Sequence, residues 1–228
     1  MNELLDLYNN RLNFLLNNRP LGLPLSLKLF DLRIKLAISI ISLSYDTNIF
    51  PYENDRIRQC YTKMVKLMES WYAFEALIKF TRPNIVRGEV KYNAISRNIN
   101  SIAGCDEIFT DCHAKLMQKC RNNIFFEDFS ELNNIINNDN SLGRKIREDC
   151  SKLFTSLTNN NINLSKLEIM ALIYAERNMY IHSGLTAFGG MRPSNRIFLL
   201  DLYIQYLNQH ILKLAIYFIE LRIEELDN

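Results

Sequence analysis

The sequence predicts an all-α protein, on three observations. Glycine (7) and proline (5) are scarce in a chain of 228 residues, which disfavours strands joined by tight turns and favours long helices. Apolar side chains recur at helical spacing in one segment after another. Ser165-Lys166-Leu167-Glu168 has the form of a capping box, the start signal of a helix. With 48% hydrophobic and 23% charged residues, the chain resembles a soluble globular domain that can bury a sizeable core.

The first helix is expected from Leu4 to Leu16, through Leu7, Tyr8, Leu12 and Phe14, with Asn17-Asn18-Arg19-Pro20 as its stop. A Pro/Gly turn to Pro24 leads into a second helix over Ser26 to Ser44. It is apolar on most of its circumference and therefore reads as a central helix buried on more than one side. A third helix, Asn54 to Phe80, carries Ile57, Tyr61, Met64, Leu67, Trp71, Phe74 and Leu77. Within its apolar band Glu75 faces either solvent or an inward cationic partner.

Lys79 to Arg97 is the most basic stretch, with Lys79, Arg82, Arg87, Lys91 and Arg97 against Glu89 and with Tyr92 interleaved. Cations with an aromatic ring can follow a phosphate backbone and stack a base; the plainer reading is a solvated cationic loop. A fourth helix, Asp106 to Asn122, sets Cys105, Cys112 and Cys120 on one face near His113. Their thiols would be roughly 10 to 12 Å apart at 1.5 Å rise per residue, too far for one ion, so core packing is expected and no metal. Two shorter helices are expected at Phe125 to Ile136 and Leu142 to Leu157, joined by asparagine-rich connectors at Asn133 to Asn140 and Asn159 to Asn163.

The capping box opens a helix that ends in Tyr174-Ala175-Glu176-Arg177-Asn178-Met179-Tyr180-Ile181-His182-Ser183-Gly184, with Gly184 as the stop. A loop from Thr186 to Pro193 precedes a last helix, from near Ser194 to Leu226, so apolar that it needs neighbours on several sides. Five cysteines without paired spacing and the absence of a signal-peptide pattern predict reduced thiols and a cytoplasmic protein. No apolar run nears the roughly 20 residues of a membrane span. The net charge of +2 is too small to make the whole surface a nucleic-acid binder, so any such site is local.

The chain holds three histidines, and His182 stands in the motif just quoted. At about 100° per residue Asn178 and His182 lie about 40° apart, whereas Arg177 lies about 140° from His182, within reach of a long side chain that curls back. A histidine near its switching point moves protons at neutral pH. On residue types alone the pair reads equally as a surface cation and a helix-terminal imidazole hydrogen-bonded to the last carbonyls.

Arg177-Asn178-Met179-Tyr180-Ile181-His182, an Arg–x4–His spacing with Asn directly after Arg at a helix end, resembles the signature of the HEPN superfamily. Trp71 to Ile78 is similar to an aromatic-Glu-Ala-Leu stretch of its Apea-like branch. The resemblance spans about Asn54 to Leu226 and implies an up-and-down helical bundle at 54–228 with an N-terminal helical extension at 1–53. It also implies a homodimer that cuts RNA without a metal or other cofactor, as a toxin or antiviral defence effector with an antitoxin or defence-system partner and no membrane attachment. Arg177, Asn178 and His182 would be catalytic, supported by Glu75, Glu176 and Tyr180, with RNA held by Arg82, Arg87, Lys91, Tyr92 and Arg192. Where members neutralised by nucleotidyltransferases carry a tyrosine two places after the histidine, this chain has Gly184, so that modification is not expected. The alternative is a non-catalytic helical module that binds RNA, nucleotide or a protein partner. No P-loop or dinucleotide fingerprint is present.

Overall fold

The structure, a computed structural model, describes residues 1–18, 22–44, 55–81, 105–159, 166–182, 186 and 190–227. Among them are eight helices and no strand: α1 (Asn2–Asn18), α2 (Leu25–Ser39), α3 (Asp55–Thr81), α4 (Cys105–Cys120), α5 (Asn123–Asn138), α6 (Arg144–Thr158), α7 (Lys166–His182) and α8 (Pro193–Asp227). The all-α expectation holds, and no helix among the described residues is long and apolar enough to cross a membrane.

The 35-residue α8 is the axis of the bundle, with α1, α3 and α4 packed on it, which is why it is apolar nearly all round. Pro193 stands at its first position, where a missing N–H does no harm. Just before it Gly190 has φ +75°, and a Cβ there would sit 3.0 Å from Ile135 Cδ1. Glycine alone meets both conditions. Asn122 caps α5 by accepting from the Phe125 amide at 3.0 Å. One hydrophobic cluster runs from Tyr8, Leu12 and Phe30 through Trp71 and Phe74 to Leu207 and Ile219, so α1 and α2 are continuous with the core.

Two expectations are corrected. Helix α2 ends at Ser39 and is not central: it lies along α3, and its Leu25 and Leu32 are 72% and 62% exposed. Ser39 turns its hydroxyl onto the Leu36 carbonyl, and the β-branched and serine run that follows has weak helix propensity. The asparagine-rich stretch at 133–138 is helix, not connector, because burial of Leu132 and Ile136 outweighs the low propensity of Asn. The proposed cap at Ser165 and the stop at Gly184 lie outside the described residues.

Candidate active site

Helix α7 is buried on every side over residues 168–177 and emerges only at its end, where Asn178 is half-buried and His182 is exposed. The motif therefore marks the point where a core helix reaches the surface. Leu172, Ile173, Ala175 and Met179 are buried in the bundle, and Trp71 of α3 packs on Tyr174 with ring centroids 5.4 Å apart.

Arg177 is 8% exposed. Its guanidinium lies 5.4 Å from the centroid of the Tyr72 ring and donates from Nη1 to Asn178 Oδ1 at 2.8 Å. Nε is buried with no acceptor, and no carboxylate pairs with the group among the described residues. A charge taken out of water without a counter-ion is costly. The guanidinium lies over the Tyr72 ring of α3, and Asn178 is its polar neighbour.

The Tyr72 ring meets a second cation, for the Arg33 guanidinium of α2 lies 5.5 Å from the same centroid. Glu69 fixes Arg33 in a two-pronged contact at 2.7 and 2.9 Å. Replacing Tyr72 by leucine removes both cation–π contacts and is expected to cost about 1 to 2 kcal/mol. Tyr72→Phe keeps the ring and should match the wild type in urea-denaturation midpoint, so the comparison separates ring from hydroxyl.

The supporting side chains are arranged differently from the expectation. Glu75 is half-buried and accepts from Trp71 Nε1 at 3.0 Å; it finds no cationic partner among the described residues. Glu176 is fully buried and joins α7 to α8 through Arg196, also fully buried, and through the Tyr203 hydroxyl. It faces the bundle interior and serves as an anchor. Burial and the adjacent Glu176 carboxylate together hold the Tyr203 hydroxyl well above the usual tyrosine range. Tyr180 is half-buried, and burial, then Tyr61, raises its hydroxyl in the same direction.

Arg192, with 53% of its side chain exposed, is tied to α5. Its Nη1 pairs with Asp128 at 3.0 Å and donates to the Ile124 carbonyl at 3.1 Å, its Nη2 lies 3.6 Å from Glu127, and its amide and Asn195 Nδ2 also donate to Asp128. Two carboxylates of α5 thus neutralise it and clasp the start of α8. Arg82, Arg87, Lys91 and Tyr92 lie outside the described residues. The other two histidines, His113 and His210, are 7% and 1% exposed. Burial lowers the pKa of His113, which favours a neutral ring stacked on Phe109 at 5.9 Å.

Among the described residues no three His, Cys, Asp or Glu side chains gather as metal ligands. Burial pushes the Cys112 and Cys120 thiols up to about 12, the opposite of what a thiolate ligand requires. A cavity of about 770 Å³ opens on α6, and neither Arg177 nor His182 lines it. Two of its cations are already held, Arg144 by Glu148 and Lys152 by Asp149. Tyr72, Arg33 and Glu69 were not singled out from the sequence; the one signal for Tyr72 was its place in the Trp71-to-Ile78 stretch. Comparison with protein-family models, with curated proteins and with solved structures finds no match to this chain.

Proposed function

We propose that the chain is a metal-independent endoribonuclease of the HEPN type, acting as a toxin or defence effector with its site completed across a homodimer. The observation that carries this reading is Arg177: an almost buried guanidinium with no acceptor at Nε and no carboxylate partner among the described residues, set five residues before an exposed histidine. A phosphate is the kind of anion that satisfies such a fork. Asn178 orients the guanidinium, and Tyr72 backs it.

Cleavage needs the 2′-hydroxyl deprotonated, the 5′-oxygen protonated as it leaves, and the charge on the crowded phosphate stabilised. One imidazole does not supply base and acid together. Since His113 and His210 lie in the core, a second copy of His182 is the natural partner, and a two-fold axis brings one. One His182 takes the 2′-proton, the oxygen attacks phosphorus, and the 5′-oxygen leaves with a proton from the other. The products are a 2′,3′-cyclic phosphate and a 5′-hydroxyl.

The test is purified protein with mixed RNA in EDTA, with the ends of the fragments identified. Cyclic phosphate ends and a rate unaffected by EDTA are expected, together with loss of cutting in Arg177→Ala. Tight RNA binding with no cutting would replace the enzyme by the non-catalytic module. Cutting that Arg177→Ala retains in full would remove Arg177 from the site.

A further inference from the structure

The outer face of α2 is apolar and is left exposed among the described residues. Leu25, Leu29, Leu32 and Leu36 are 72%, 42%, 62% and 41% exposed. At 100° per residue the four lie within an arc of about 60°. Their spacings of four, three and four residues give the register of a coiled-coil seam. The opposite face, Leu27, Phe30, Ile34 and Ala37, is fully buried and already used: α3 lies along the helix, and Tyr8 of α1 packs edge-on against Phe30. Among the described residues these leucines are not used in the core, and a contiguous stripe of this kind marks an interaction surface.

The edges of the stripe indicate what covers it. With the leucines at the a and d positions, Lys28 and Lys35 occupy g and Arg33 occupies e. Glu69 holds Arg33 and Asp31 holds Lys35, while Lys28 has no ion-pair partner among the described residues. A second copy offers no carboxylate at its own e or g positions to meet Lys28. A parallel pair places g against e, lysine facing Arg33; an antiparallel pair places g against g and e against e, again like against like.

We propose that this face docks a helix of another protein, with leucine or isoleucine along its seam and glutamate or aspartate at its flanking positions. The occupant is a hetero-partner, and its docking is independent of whether the chain cuts RNA.

The experiment uses the full chain and two labelled peptides of about three heptads. Both carry leucine at a and d; one has glutamate and the other lysine at e and g. Fluorescence anisotropy is expected to show the glutamate peptide binding about tenfold more tightly, the sum of a few flanking ion pairs. Leu29→Gln/Leu32→Gln, a change to exposed side chains that leaves the core intact, should abolish binding. Lys28→Glu should shrink the preference at least about threefold. No binding, or equal binding of the two peptides, overturns the proposal. So does binding to phosphatidylserine vesicles without peptide binding, or a wild-type dimer that the double leucine variant makes monomeric.

Discussion

An His182→Ala variant is expected to cut RNA on the order of 10² to 10⁴ times more slowly than the wild-type chain, the range for loss of a general acid or base. It should do so without loss of stability. His182 is exposed at the last residue of α7 and has no side-chain partner among the described residues, so its removal opens no cavity and strands no polar group. The melting temperature is the control. Arg177→Lys keeps the charge but loses the fork and should also be slow. If both residues act on one phosphate, Arg177→Ala/His182→Ala should be little slower than the worse single variant. Dependence on a dimer adds a further expectation: the rate per chain should fall on dilution. An His182→Ala protein that cuts at the wild-type rate ends the assignment.

The helices were legible in the sequence because their signals are local. Periodicity, Pro193 and the end of α1 at Asn18 need only a dozen neighbouring residues to be read. The surroundings of α8 followed from its being apolar nearly all round. The same reasoning misplaced α2, since an all-round apolar pattern does not say whether each face has a partner, and one of its faces is left exposed among the described residues. Side-chain destinations were less legible for a related reason. Glu176 lies beside Arg177 in sequence and was grouped with the active residues, yet a step of about 100° around the helix turns it toward Arg196, twenty positions later. Arg192 shows no partner in its own stretch of sequence, and only the fold brings Asp128, sixty-four positions earlier, beside it. Tyr72 became part of the site only when α2, α3 and α7 were brought together around its ring.

Glu176→Ala is expected to lower stability by about 3 to 5 kcal/mol, the range for removing one partner of a buried ion pair. Arg196 and Glu176 both have zero side-chain exposure, so the substitution takes this carboxylate away from a guanidinium that water does not reach. Tyr203 loses its acceptor at the same time. For a chain of this length each kcal/mol moves the melting temperature by about 2 to 4 °C, so a fall of about 6 to 20 °C should be seen. The pair need not be worth that much against an apolar substitute. Glu176→Leu/Arg196→Met removes both charges together and should recover most of the loss, and the four proteins form a double-mutant cycle with a large coupling term. If Glu176→Ala melts within about 2 °C of the wild type, the buried pair is not an anchor. The pair also bears on the site. Anchoring α7 to α8 one residue before Arg177 fixes the helix rotation that presses the guanidinium against Tyr72. The double apolar variant, restored in stability but without this polar registration, should therefore still cut RNA more slowly than its melting temperature alone accounts for.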